Sequence, residues 1–399
     1  MRHRKTHRSG TSQQPRKWQS CHLRPARRLG AAGLAAAAIV LSACGSTTSS
    51  PTAAPTTTTS GATVSSLAQA RAELAPYVGH PSAFPVTAPL SKRPPAGSRF
   101  VYLQCSTPVC ALIGQLLVAP TKALGVGLTV VNAGGTATSS QSAAAAALAD
   151  KPAAVLVPAV DPQLFGSSLH SLDSAGIPVV GVGVIGGKPY GVEVSAGGAS
   201  SVAKAGRLLA DWVATTRGSH ANVVFVGTPE LNFSTPMRTA FDGEMAKVCP
   251  SCALSYLGVS VETFGNTAPS AVVSYLEAHP TTKTVVFASM EAATGLAAAL
   301  KDANLHVTTI GFAPTPSNLQ DIKNGGLTAG LGLDLLVQEW VQVDMAARLI
   351  AHQQVAPGEL NIDLQLLTSN DINSVDIARG WSGYPDVAQR FAQLWSPAG

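Results

Sequence analysis

The sequence predicts an α/β protein built as two doubly wound parallel-sheet lobes. Three observations carry that prediction. From Ser98 onward, short runs rich in Val and Ile alternate with segments of helical periodicity. Continuous apolar strands separated by helices specify parallel sheets covered on both faces. Ten such strands would make an oversized single sheet. Finally, the alternation breaks at 186–194, where Gly-Gly-Lys-Pro looks like a crossing between lobes, and again near 326–332.

The strand candidates cover 100–103, 128–132, 153–158, 179–184, 192–195, 223–226, 254–259, 284–288, 307–312 and 328–331. Between most of them lie helical patterns at 110–124, 139–149, 162–175, 200–215, 236–248, 269–278, 291–303, 316–324 and 335–352. The 200–215 segment shows the logic: Val202, Ala205, Leu209 and Trp212 or Val213 share one side, while Lys204, Arg207 and Asp211 fall mostly elsewhere. These elements divide into a first lobe of 98–190 plus 333–362 and a second of 191–332 plus 363–399. Gly181, Gly183 and Gly186 spell a GxGxxG after a strand, but no helix follows, so the spacing reads as hinge backbone and not as a dinucleotide fingerprint. Trp340 falls on an amphipathic helix and is expected in the core. The C-terminal Trp381, Tyr384, Phe391 and Trp395 read as a helix docked on a lobe, with a lid over a cleft as the alternative.

Composition sets the outer limits. With 46% hydrophobic and 12% charged residues, disorder along the whole length is excluded. One apolar stretch alone approaches spanning length, which excludes a polytopic membrane protein. A chain of 399 residues is expected to form about two domains. The net charge of +5 would suggest a nucleic-acid or membrane-surface partner. However, residues 1–43 hold nine Lys and Arg and no acid, followed by LGAAGLAAAAIVL and then Ser42, Ala43 and Cys44. That arrangement is a secretory signal at 1–43. Leu41-Ser42-Ala43-Cys44 resembles the bacterial lipobox, making Cys44 the lipidated N-terminus of a chain exported and anchored to the outer face of the cell membrane. Without the signal, 18 basic residues face 22 acidic ones, a net charge of −4. The basic character belongs to the export signal, and nucleic acid is excluded as a partner.

Behind the anchor, residues 45–62 contain 13 Ser, Thr or Pro in 18 positions and cannot bury a core. With a short helix at 66–78 and a proline-rich lead-in, they make 44–97 a lipid-anchored tether. Four further cysteines form two close pairs, Cys105 with Cys110 and Cys249 with Cys252. Export favours two local disulfides, each closing a small loop and shaping a turn. A four-Cys zinc site or a thioredoxin-like redox motif remains the alternative.

An ordered series of segments carries a resemblance. Residues 153–161 (AAVLVPAVD), a helix, and Ala175-Gly176-Ile177-Pro178-Val179-Val180 come first. They are followed by the 195–209 helix, 297–305 (AAALKDANL), 307–312 (VTTIGF), 322–332 (IKNGGLTAGLG) and the helix with Trp340, Asp344 and Arg348. Over roughly 98–365 the chain resembles the type I periplasmic solute-binding proteins, most of all their sugar-binding branch. The resemblance implies two lobes joined by a three-strand hinge. It also implies a monomer that closes on a small-molecule solute and passes it to an ABC permease. A ligand-sensing role toward a membrane receptor or sensor kinase is the alternative. The same fold serves in bacterial repressors, but here an export signal stands in place of a DNA-binding headpiece.

By that resemblance, and because open α/β sheets bind ligands at strand C-terminal ends, the candidate ligand residues are Gln104, Thr107, Asp161, Gly183, Arg238, Ser289, Glu291, Ala313 and Asp334. Asp161 precedes Pro162 and also suits a helix N-cap, and Glu291 could be a dipole-favourable charge at a helix start. Pro108, Val109 and Cys110 stand where sugar binders usually place paired aromatics. Gly183-Val184, Ser289-Met290 and Ala313 replace the family's Asp-Arg, Asn-Asp and Asp. A pocket poor in hydroxyl partners follows, and a less polar or smaller solute than an ordinary sugar. No GxSxG and no HExxH occurs, so the chain is expected to be a binder without cofactor or bound metal and not an enzyme; a surface-anchored hydrolase is the weaker alternative.

Overall fold

The structure is a computed structural model that describes residues 59–81, 83–355, 357–372 and 377–396. The signal, the lipidation site Cys44 and the tether up to residue 58 lie outside the described residues. No helix among the described residues is long and apolar enough to cross a membrane.

The chain opens with helix α1 (Thr59–Leu74). Lobe 1 then alternates β1 (Arg99–Cys105), α2 (Pro108–Leu116), α3 (Val118–Leu124), β2 (Gly127–Gly134), α4 (Ala137–Asp150), β3 (Ala154–Val157), α5 (Ser168–Ser174), β4 (Val179–Val182) and β5 (Val194–Ala196). Its strands pair in parallel in the order β2-β1-β3-β4-β5. Lobe 2 follows with α6 (Ala199–Arg217), β6 (Asn222–Gly227), α7 (Ser234–Val248), β7 (Ala253–Gly258), α8 (Ala268–Ala278), β8 (Thr284–Phe287), α9 (Leu296–Asp302), β9 (Thr308–Gly311) and α10 (Pro316–Lys323). Its parallel order is β7-β6-β8-β9. The inner strands β3, β4 and β8 are buried along their whole length, as their Val-rich sequences AVLV, VVGV and TVVF suit.

Three segments form the hinge between the lobes. The first is Gly197-Gly198, after β5. The second is β10 (Gly330–Leu333), leading into α11 (Leu335–Ile350), and the third is β11 (Leu364–Leu367), which pairs antiparallel with β10. Gly197 N–H donates to Leu360 O at 2.9 Å, tying the first crossing to the third. The crossing expected at 186–194 therefore lies later. Residues 188–190 form a 3-10 turn on lobe 1, and β5 is still a strand of the first sheet. Gly181, Gly183 and Gly186 belong to lobe 1 and not to the hinge.

Helix breaks follow local chemistry. The 110–124 pattern divides at Leu117 into α2 and α3. Gly166 and Gly295, both at positive φ, cut the 162–175 and 291–303 patterns into a 3-10 turn followed by a short helix. Capping boxes at Thr136/Ser139 and Thr315/Asn318 start α4 and α10.

The termini are more firmly tied down than a tether and a second-lobe tail would be. Ala70 and Leu74 of α1 are buried against the lobe 2 core formed by α6 and α7. Val78 then bridges to Leu366 of β11, while Val86 and Leu90 are buried in the lobe 1 core. The lead-in is thus a strap running from lobe 2 across the hinge to lobe 1. The C-terminal stretch also visits both lobes. α12 (Ser369–Ile372) and Trp381 join the lobe 2 core, but α13 (Val387–Leu394) and Trp395 pack on lobe 1. There Trp340 stacks on Phe391 and Trp395, each at 5.4 Å. The second lobe accordingly does not own 363–399 as a unit.

Candidate solute-binding cleft

In each sheet the strand order reverses beside the first strand of the lobe: between β1 and β3 in lobe 1, and between β6 and β8 in lobe 2. Loops leaving the two strands at such a point part to opposite faces and leave a crevice. The two crevices face each other and enclose a cavity of about 110 Å³. Lobe 1 contributes Thr107 and Val109 after β1, Ala159 after β3 and Gly183 after β4. Lobe 2 contributes Phe233 after β6, Ser289 and Glu291 after β8, and Ala313 after β9. The hinge side adds Leu333, Gln338 and Leu364.

The lobe 1 half is held by the Cys105–Cys110 disulfide, which joins the end of β1 to the first turn of α2. Cys249 and Cys252 are likewise paired, in lobe 2 and outside the cavity lining. Two backbone positions are special. Gly183 has φ 65°, and a Cβ there would sit 2.7 Å from Ala159 Cβ, so glycine is required. Ala313 has φ 54°, a strained conformation for alanine, held by its N–H donating to Leu331 O at 2.9 Å.

One charged side chain lines the cavity. Glu291 is 4% exposed and accepts the Val109 N–H at 2.9 Å through Oε1, across the gap between lobes. Val109 lies in the first turn of α2, whose N–H groups have no partner within the helix. The Glu291 carboxylate therefore completes a helix start in the opposite lobe. Burial nonetheless dominates over this hydrogen bond and pushes the Glu291 pKa up to about 7. A second interlobe bond runs from Asn232 Nδ2 to Ile185 O at 3.0 Å. On the far side of the Glu291–Val109 contact lies a vestibule of about 250 Å³, lined by Pro108, Leu112 and Phe264 among others. Behind the cavity, Gln338 donates to Glu339 at 3.1 Å. Glu339 is fully enclosed, and burial raises its pKa to about 8.

Of the nine residues singled out in the sequence, Thr107, Gly183, Ser289, Glu291 and Ala313 meet at the cavity. The other four stand elsewhere. Gln104 lies at the end of β1 and packs toward Gly114. Asp161 caps the 3-10 turn at Pro162–Phe165, accepting Gln163 N–H at 2.9 Å. Arg238 lies over the Tyr256 ring at 4.2 Å and pairs with Asp242 at 3.3 Å, in a separate shallow pocket on lobe 2. Asp334 is fully buried: it caps α11 and accepts from Ser382 Oγ and Gly383 N–H at 2.9 and 2.8 Å, and burial raises its pKa to about 6. The lining residues that sequence reading missed are chiefly apolar, among them Leu231, Phe312 and Leu364. Gln338 had a signal, being polar amid an otherwise apolar helix. Among the described residues no group of three or more His, Cys, Asp or Glu is placed to hold a metal.

The arrangement is that of a two-lobed receptor for a small solute. The family model described as the periplasmic binding protein domain matches residues 101–354, and the chain belongs to that family. No curated protein sequence matches it. Among solved structures it is similar to a glucose-galactose binding protein from Geobacillus stearothermophilus, with 16% identity over 69% of this chain and 99% of that one, and a TM-score of 0.61. It is also similar to a periplasmic solute-binding protein of an ABC transporter from Actinobacillus succinogenes, bound to D-allose: 18% identity, 69% and 99% coverage, TM-score 0.61. A third similar structure, an ABC-transporter solute-binding protein from Agrobacterium vitis, holds α-D-tagatopyranose, with 18% identity, 71% and 98% coverage and a TM-score of 0.61.

Proposed function

We propose that this chain is an exported solute-binding lipoprotein, anchored through Cys44, that closes its lobes on one small, poorly polar solute and delivers it to an ABC permease. The observation that carries this reading is the cavity itself. It sits at both switch points, crosses the hinge, and has a mostly apolar lining with one carboxylate. In this reading the chain binds and does not catalyse, in line with a family and similar structures that are solute-binding proteins. The hinge segments supply the motion, because lobes joined by a few extended strands open and close as rigid bodies.

The similar structures named for sugars support a small-molecule ligand. The lining argues for one with fewer hydroxyls. A hexose needs several planar polar partners, and burying its hydroxyls without them would cost about 1–3 kcal/mol each. Presentation of the loaded protein to a membrane receptor or sensor kinase is the second reading; one similar solved structure is a complex, XylFII–LytSN, at 16% identity and a TM-score of 0.60. A thermal-shift screen over sugars, polyols, amino acids and apolar small molecules tests the function, since binding to the native state raises the melting temperature. A positive compound should also compact the protein in small-angle scattering. Tight binding of simple hexoses or pentoses would overturn the poorly polar ligand, and a true ligand that gives no compaction would overturn lobe closure.

A further inference from the structure

On the reading that the cleft is the solute site, we propose that its ligand is a small apolar monoamine whose ammonium group sits against Glu291.

The charge pattern selects the sign. No Lys, Arg or His lines the cavity, whereas Glu291 does. An anionic solute would lose its hydration, meet a buried carboxylate and find no counter-charge. The approaches carry the same sign. Glu230 lies in the groove beside the cleft, and Glu262 Oε1 comes close to where a side chain on Gly135 of lobe 1 would be. Acidic groups at a cleft mouth raise the local concentration of cations.

Geometry places the cationic end. Glu291 borders both the inner cavity and the outer vestibule. One hydrogen bond reaches its carboxylate, from Val109 to Oε1, although a carboxylate can accept about four. An ammonium group has three donors and no acceptor, which suits a site that offers acceptors and no counter-cation. Apart from Thr107, Ser201, Ser289, Thr315 and Gln338, the remainder of the lining is apolar or backbone and fits a hydrocarbon body. Val109, Ile113, Leu231, Leu333 and Leu364 surround it, and the Phe233 and Phe312 rings stand edge to face at 6.2 Å. A dry cavity of about 150 Å³ lined by such side chains holds benzene. The volume of about 110 Å³ therefore suits a body of about five carbons.

A proton links binding to pH. The uncharged form of Glu291 is well populated at neutral pH in the empty cleft, and the ammonium ion stabilises the charged form. Amine binding near pH 6 therefore releases protons from Glu291, and affinity rises as pH goes from 5.5 to 8.

Isothermal titration calorimetry with isopentylamine and cyclopentylamine, each beside its alcohol isostere and beside D-glucose, tests the proposal. At pH 7.5 the amines are expected to bind roughly ten-fold or more tightly than the alcohols. Glu291→Gln should remove most of that difference, weakening amine binding far more than alcohol binding. At pH 6, titrations in two buffers of different ionisation heat should show proton release by the wild type and none by the variant. Circular dichroism confirms that the variant is folded, and Phe233→Leu should weaken amine and alcohol alike. Equal binding of alcohols and amines, or amine binding indifferent to Glu291→Gln, overturns the amine class and leaves the cleft as the solute site. Binding of glucose alone does the same. Failure of every probe overturns the amine class, and if the wider solute screen also finds nothing, the cleft reading falls with it.

Discussion

Under lobe 1 the Asp344 carboxylate is fully enclosed, and it receives Arg348 Nε at 2.6 Å and Trp395 Nε1 at 2.5 Å. Arg348 in turn donates through Nη2 to Ala88 O at 2.6 Å. In the cleft the Glu291 carboxylate is almost as buried, yet it receives the Val109 N–H and faces no basic group. The first acid ties three remote parts of the chain together: α11, the C-terminal tryptophan and the lead-in strap. The second spans two lobes with one hydrogen bond. A buried charge consumed by donors serves the fold, while one left short of donors is available to a ligand. On the proposed function, the difference separates a clasp that stays shut from one that opens.

Breaking the first clasp should have the largest effect. Asp344→Ala leaves Arg348 buried without its carboxylate, and loss of one partner of a buried pair costs about 3–5 kcal/mol. Chemical denaturation should show that drop, and limited proteolysis should find the strap released from lobe 1. If Asp344→Ala is as stable as the wild type, the contrast between the two acids has no energetic basis.

The two disulfides sharpen the comparison at intermediate size. Each closes a short loop, with sequence separations of 5 and 3. The joint substitution Cys105→Ala and Cys110→Ala should cost about 2 kcal/mol by the loop-entropy relation. It should also weaken solute binding, because it frees the loop that carries Thr107 and the Val109 donor. Cys249→Ala with Cys252→Ala should lower stability by a similar or smaller amount and leave affinity alone. Equal losses of affinity in both pairs would mean that the first disulfide has no special part in the cleft.

How far these sites were legible in the sequence depends on which residue types build them. The parallel strands could be read because inner strands such as β3 and β8 are unbroken apolar runs. The cysteine pairs could be read from spacing and compartment. β11 was missed: Leu364–Leu367 follows a Pro- and Gly-containing stretch and pairs antiparallel with a remote hinge strand, so no local period announces it. The strap was missed because a proline-rich lead-in has no period, and its anchors Val86 and Leu90 show as core residues only once Trp395 and α11 are in place. In the cleft, Glu291 and Ser289 stood out as polar residues at a strand end. Leu231, Phe312 and Leu364 did not, since an apolar residue lining a cavity and one filling a core look alike in a sequence. Asp161 and Asp334 stood out for the same reason as Glu291, but their lone pairs are taken up by helix starts and loop donors.

A further effect is expected from Glu291 itself, through pH. A carboxyl whose folded pKa is raised from 4.5 to about 7 keeps its proton in the native state while the unfolded chain has already lost it. The native form then binds more protons between those values, so its contribution to stability is present below about pH 4.5 and is lost as pH rises through 7. Glu291→Gln removes that loss. The variant should match the wild type near pH 4.5 and be more stable than it at pH 8. Glu339 and Asp211, raised by burial to about 8 and about 7, act in the same direction, so the decline with pH should be shallower in the variant but not absent. Denaturation midpoints at pH 5, 6.5 and 8 read the slope directly. An unchanged slope would mean that Glu291 is already charged in the empty cleft, and the contrast with the ion-paired Asp344 would then rest on geometry alone.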